Sequence, residues 1–159
     1  MKKSAGILMY RRSGDSIEVF LIHPGGPFWA KKDLGAWSIP KGQYEDDEGP
    51  LDAARREFRE ETGFDADGEF IPLPPIKQKS GKVVTAWAVE GSIDAAAIES
   101  NMFSLEWPPK SGRHAEFPEA DRAGWFPPAE ARGKLYPAQV AFVDSLCAQL
   151  GIPVTREEP

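Results

Sequence analysis

The chain has 159 residues, 41% of them hydrophobic and 28% charged, with a formal net charge of −6. That length predicts one domain, residues 1–159, with a core large enough to stand without disulfides or structural metals. No run of about 18 apolar residues is present, which excludes a helical membrane span, and the single cysteine, Cys147, excludes an internal disulfide or a thiolate metal centre. The acidic balance argues against polymeric DNA or RNA as a partner. It leaves room for a small polyphosphate held through a metal, because the cation supplies the positive charge locally.

Lys2 and Lys3 followed by an apolar patch, Ala5 to Tyr10, have the outline of a signal peptide, but the patch is too short and ends in Arg11 and Arg12. It is read as a strand and the cytoplasm as the expected location. Residues 4–11 and 17–23 form a predicted hairpin turning at Ser13-Gly14-Asp15. His23-Pro24-Gly25-Gly26-Pro27 opens a loop that runs to Gly35, and Trp37 to Pro40 is a short extended piece. A helix starts at Gly49-Pro50, where proline's missing N–H does no harm in the first turn, and Gly63 ends it. Residues 65–81 are expected to be a proline-rich connection and 82–91 a strand. Residues 94–122 have weak periodicity and predict a long ordered loop, followed by a short strand at 123–126 and one helical turn at Ala129 to Arg132. Val140, Val143, Leu146 and Leu150 at helical spacing predict a C-terminal amphipathic helix, with Cys147 as buried filler. The initial hairpin excludes a purely parallel sheet, so the expected class is α/β, a mixed sheet with helices on both faces.

The stretch 42–64, GQYEDDEGPLDAARREFREETGF, concentrates negative charge. Placed at about 100° per residue, Leu51, Ala54 and Phe58 share the face that packs on the sheet. Glu57, Glu60 and Glu61 stand on an adjacent strip, and a glycine-started loop brings a further acidic cluster ending at Glu48. A solvated face with Glu/Arg pairs is the plain alternative, but such faces alternate sign, whereas here three carboxylates adjoin. Hard divalent cations take oxygen ligands of this kind together with substrate phosphate and water. The competing EF-hand loop, D-x-[DN]-x-[DN]-G, is absent.

With these residues in place the stretch resembles the Nudix box, G-x5-E-x7-R-E-U-x-E-E-x-G-U, where U is a bulky apolar residue. Gly42, Glu48, Arg56, Glu57, Phe58, Glu60, Glu61, Gly63 and Phe64 fill every defined position at the required spacing. The resemblance implies an α/β/α sandwich and a hydrolase that cuts a diphosphate bond in a nucleoside diphosphate linked to another group X, with Mg²⁺ (or Mn²⁺). It further implies metal ligation by Glu57, Glu60, Glu61 and the carbonyl of Gly42. Arg56 is expected to hold a box carboxylate in place, and Glu48 to lock the loop on the helix or to reach a second metal through water. A non-catalytic, nucleotide-binding Nudix domain is the rival from another class; the complete set of box carboxylates counts against it.

Outside the box the resemblance calls for a general base from a later loop, where Glu119 is preferred for its place ahead of the strand at 123–126, with Glu116 in reserve. Lys41, directly before Gly42, can reach a terminal phosphate. Its Pro40-Lys41-Gly42 setting is shared with Nudix enzymes that act on dinucleoside polyphosphates or diphosphoinositols; an ordinary or damaged nucleoside triphosphate is the alternative substrate. Arg113 is a second substrate-binding candidate, with His114, Lys77 and Lys79 behind it, while His23 at a strand end fits a structural hydrogen bonder. Phe28, Trp29, Trp37, Phe103 and Trp107 offer stacking faces for a base, Trp37 equally a core position. The expected partners are a small polyphosphate and, compatible with the sequence, a second copy of the chain.

Overall fold

The structure, a computed structural model, describes residues 2–154. β1 (Lys3–Ser13) and β2 (Ser16–Pro24) form the expected antiparallel hairpin, with Gly14 at a positive φ of 60° in its turn. β3 (Lys41–Gln43) pairs antiparallel with the start of β1, Gly6 opposite Lys41 and Ala5 opposite Gly42. β5 (Val83–Glu90) runs parallel to β1 on its other side, from Lys3 opposite Val83 to Tyr10 opposite Glu90. With β4 (Ile71–Lys77) and β8 (Ala120–Phe126) at the two ends, the sheet order is β4-β5-β1-β2-β8 and the sheet is mixed, as expected.

Side chains of the central strands alternate between two apolar layers. Ile7, Met9 and Phe20 pack with Ala53, Ala54 and Phe58 of helix α1 (Pro50–Thr62). Leu8, Tyr10, Val19 and Leu21 pack with Phe142, Val143 and Leu146 of α3 (Val140–Leu150), beside the short α2 (Pro128–Lys134). This makes an α/β/α sandwich, and Cys147 is wholly buried in the second layer. Each layer removes several fully buried side chains from water, at roughly 1.5–3 kcal/mol for each large one. No helix among the described residues is long and apolar enough to cross a membrane.

Two stretches differ from the sequence-based expectation. The connection expected over 65–81 contains β4, despite Pro72, Pro74 and Pro75. Prolines are tolerated there because β4 is an edge strand, and its register with β5 shifts between Leu73 and Ile76. The long loop expected over 94–122 contains a separate two-stranded sheet, β6 (Met102–Glu106) against β7 (His114–Pro118). It buries little on either face, which is why no clear period marks it in the sequence. The predicted strand at 123–126 starts earlier, at Ala120, and the predicted helical turn extends to Lys134.

Candidate metal and polyphosphate site

Helix α1 carries the acidic stretch across β1 to β3. Pro50 occupies its first turn, and Gly63 takes a left-handed φ of 80° and returns its N–H to Arg59. From residue 57, residue 61 advances about 40° around the helix, whereas residue 60 lies about 60° to the other side. Glu57 and Glu61 therefore point together, each 8% exposed, toward β3. Gly42 makes this approach possible: a Cβ there would stand 2.0 Å from a Glu57 carboxylate oxygen.

The third carboxylate comes from a different element, just before the edge strand β8. Glu119 precedes β8, and its backbone is held at both groups: its N–H donates to Asn101 (2.8 Å) and its carbonyl accepts from Gly25 (3.0 Å). Asn101 in turn donates to the Glu60 carbonyl at 2.8 Å, tying this segment to the end of α1. One carboxylate oxygen from each of Glu57, Glu61 and Glu119 lies within 4.8 Å of the others. Burial raises the Glu61 pKa well above the usual carboxylate value, and the Glu57 and Glu119 charges push it further. Glu57 and Glu119 are raised too, first by burial; repulsion from neighbouring carboxylates adds to both, and Arg56 works against it at Glu57.

Glu60 is placed differently from the expectation that grouped it with Glu57 and Glu61. Its side chain is 34% exposed and lies 3.3 Å from Arg56. Arg56 is the hub of this flank, donating to both oxygens of Glu48 (2.8 and 2.9 Å) and to Glu57 (2.7 Å). Glu48, whose pKa this pairing lowers, thereby fastens the acidic loop to the helix.

Lys41, Gly42, Glu57, Glu61 and Glu119 line a cavity of about 440 Å³ together with Trp29, Phe103 and the loop at Pro24-Gly25. Lys41 has a depressed pKa, first because it is desolvated and then because Lys82 is near; Glu61 and Glu57 oppose the shift. Glu116 is exposed on β7, opposite Ser104, and does not line the cavity. Arg113 is exposed at the tip of the β6–β7 hairpin, and His114, Lys77 and Lys79 are exposed as well; none of them lines the cavity.

His23 is completely buried, with Nδ1 2.9 Å from Asp121 and Nε2 2.5 Å from the Lys32 carbonyl, so it is a structural hydrogen bonder that anchors the 24–35 loop. Trp37 belongs to the core, 5% exposed, donating to Asp33 and packed edge-on against His23 and Phe126. Trp29 and Phe103 face the cavity, whereas Phe28 and Trp107 pack edge-on against each other at 5.4 Å. Gln43, Gln78, Tyr136 and Gln139 also line the site region and carry no sequence signal, since isolated neutral residues have no diagnostic spacing.

The donor set fits a hard divalent cation. Three carboxylates converge, two of them buried, and an uncompensated buried charge cluster is costly unless protonated or neutralised. Glu57, Glu61 and Glu119 could hold such an ion, all through oxygen, as Mg²⁺ and Mn²⁺ require.

Residues 1–146 match the NUDIX domain family. Among solved structures, a binary complex of the Ap4A hydrolase of C. elegans aligns with a TM-score of 0.64 at 20% identity, covering 95% of this chain and 98% of that one. The NUDIX domain of Shewanella oneidensis NrtR, complexed with ADP ribose, aligns at 0.63 and 15% identity, covering 93% and 87%. The E. coli ORF135 protein aligns at 0.58 and 21% identity, covering 98% and 96%. At these identities the structural matches speak for the fold.

Proposed function

The chain belongs to the Nudix hydrolase family, and on that premise we propose that it is a divalent-metal-dependent pyrophosphohydrolase of a nucleotide-like polyphosphate. The observation that carries this reading is the convergence of Glu57, Glu61 and Glu119 beside Lys41 in one cavity. Glu57 and Glu61, with the carbonyl of Gly42, would hold Mg²⁺ or Mn²⁺, which would supply charge to neutralise a diphosphate and to acidify a water. Glu119 faces them from a different element and accepts the proton of the attacking water. Its raised pKa suits that task, because a base works best when its pKa approaches the working pH.

Arg56 keeps Glu57 oriented and ties Glu48 and Glu60 to the same helix, so the ligands are set before substrate arrives. Lys41 binds phosphates beyond the cleaved bond. A half-buried ammonium with no ion pair among the described residues is suited to a phosphate oxygen, which it holds as a point charge. This favours a substrate with a long phosphate chain, of the dinucleoside polyphosphate type, over a nucleoside diphosphate linked to a sugar. Arg113, at the hairpin tip, has no part in this reading.

The test is phosphate release from a panel of nucleotides with Mg²⁺ and with Mn²⁺, each with and without added pyrophosphatase to separate pyrophosphate from orthophosphate products. Hydrolysis of at least one polyphosphate, abolished by chelation and by Glu57→Gln, is expected. A chain that binds nucleotides but hydrolyses none would be the non-catalytic domain instead.

A further inference from the structure

The carboxylates do not sit at the end of a blind cavity. Pro24, Trp29, Lys41, Glu61 and Glu119 are shared between the 440 Å³ lobe described above and a second lobe of about 290 Å³. Of the charged groups at the junction, Lys41 can hold phosphates directly and Glu61 and Glu119 only through a cation, and each lobe is left to take what is attached to one end of the chain. The first lobe continues past Gly25, Gln43 and Phe103. The second continues past Ile22, Ala36, Ser38, Gln78, Tyr136 and Gln139, and apart from the shared junction it is lined by no charged side chain.

Its polar groups are neutral and partly unused. Gln139 is 1% exposed; its Oε1 accepts from the Ile39 N–H (2.9 Å) and its Nε2 donates one hydrogen to Ser38 Oγ (3.0 Å). An amide carries two N–H donors, so one remains for an occupant. The half-buried Gln78 side chain makes no hydrogen bond among the described residues. It is carried by the β4–β5 turn, which is closed by its own N–H to the Lys82 carbonyl (2.8 Å). Tyr136, 43% exposed, and Trp29 add aromatic surface beside these amides.

Apolar and aromatic walls with a few neutral donors and acceptors suit an uncharged, flat heterocycle with an amide-like edge. A phosphorylated polyol would need cations there, and the lobe has none beyond Lys41. We propose that the second lobe is the specificity subsite of this enzyme. It takes a nucleobase, stacked along Trp29 and Tyr136 and read by the free amide groups of Gln78 and Gln139, while the phosphate chain runs from it over Lys41 and the carboxylates toward the first lobe. This deepens the hydrolase reading and rests on it for the direction of the chain; occupation of the lobe by a base does not depend on hydrolysis.

The experiment uses nucleosides, which have a base and no phosphate, in the presence of a chelator. Quenching of tryptophan fluorescence by adenosine, guanosine, cytidine and uridine is measured on the full chain, and Trp29→Phe isolates the signal of Trp29. At least one nucleoside is expected to bind saturably in the millimolar range, with ribose 5-phosphate giving no such signal. Tyr136→Ala and Gln78→Leu should each weaken that binding about tenfold, the typical worth of one stacking or hydrogen-bonding partner. Glu57→Gln should leave it intact while removing hydrolysis, so loss of hydrolysis alone speaks to the catalytic reading and not to this subsite. No nucleoside binding, ribose 5-phosphate binding as well as the nucleosides, or unchanged binding in both lobe variants would overturn the proposal.

Discussion

The two flanks of helix α1 present the same residue type in opposite states. On one flank Glu48 and Glu60 share Arg56, at 2.8 to 3.3 Å, and remain partly exposed. On the other, Glu61 is buried beside Glu57 and Glu119, and the cations within reach are a desolvated Lys41 and one contact of Arg56 with Glu57. The first flank is partly exposed and paired by the chain itself through Arg56, which fixes the loop. The second is left short of positive charge, and it is there that the proposed cation would bind. The difference lies in geometry, because Glu48, Glu57, Glu60 and Glu61 lie within a few turns of one another in sequence.

The largest effect is expected where that deficit is reduced by substitution. Glu57→Gln and Glu61→Gln should each lower turnover by several orders of magnitude and weaken Mg²⁺ binding by calorimetry. In chelator, Glu61→Gln should melt at or above the wild-type temperature, because it removes a buried charge that repels its neighbours. Near-normal turnover in both variants would remove the second flank from the chemistry.

Glu119→Gln is expected to cost about 10²–10⁴-fold in kcat, the usual range for a positioned base, with Mg²⁺ affinity largely kept; Glu116→Gln, on the exposed face of β7, should be neutral. If Mg²⁺ affinity falls as far in Glu119→Gln as in Glu57→Gln, Glu119 is a ligand and the base is elsewhere. A smaller effect is expected from Lys41→Ala: a loss of roughly 1–3 kcal/mol in kcat/KM on diadenosine tetraphosphate, the worth of a charged hydrogen bond. ADP-ribose should be affected much less. Equal losses on both would reduce Lys41 to a support for the loop.

The smallest effect is one of opposite pH signatures. Glu57, Glu61 and Glu119 have raised folded-state pKa values, so their contribution to stability is fully present below the ordinary value of 4.5 and is lost as pH rises through the folded values. Glu48 has a lowered one, so its contribution is present above 4.5 and is lost as pH falls through the folded value. Mg²⁺ should therefore raise the melting temperature at neutral pH and do so progressively less toward about pH 4, since the ligands must be deprotonated to bind. A shift independent of pH would show that the cation binds elsewhere; charge reversal at Asp46 and Asp47, outside the box positions, should leave the shift unchanged.

Helix α1 was legible before the structure because its signals are local: Pro50 at the start, Gly63 at the end, and apolar residues on one face. The same holds for the β1–β2 hairpin and β5, whose apolar runs are bounded by turns. β4 was not legible, since its three prolines suppress the strand signal and only its edge position makes them harmless. The β6–β7 hairpin escaped for a related reason: it pairs mainly with itself and buries too little to impose a two-residue period. Glu119 could be picked out by its place before β8, but its partnership with Glu57 and Glu61 spans about sixty residues and no periodicity reports it.

The sequence by itself determined that the chain has one helix with a dense, fixed-gap set of carboxylates, glycines and an arginine, and that two apolar layers enclose a mixed sheet. Spacing along a helix and alternation along a strand are consequences of backbone geometry, so they survive in the linear order. Only the tertiary structure decided which glutamates face the cavity, that Glu60 turns to Arg56 while Glu119 takes its place beside Glu57 and Glu61, and that Gln78, Tyr136 and Gln139 meet around a second lobe. Those choices follow from which side of α1 packs onto β3, and from loops brought together by the sheet order β4-β5-β1-β2-β8. Contacts between residues far apart in the chain depend on the packing of whole elements, and no local pattern encodes them.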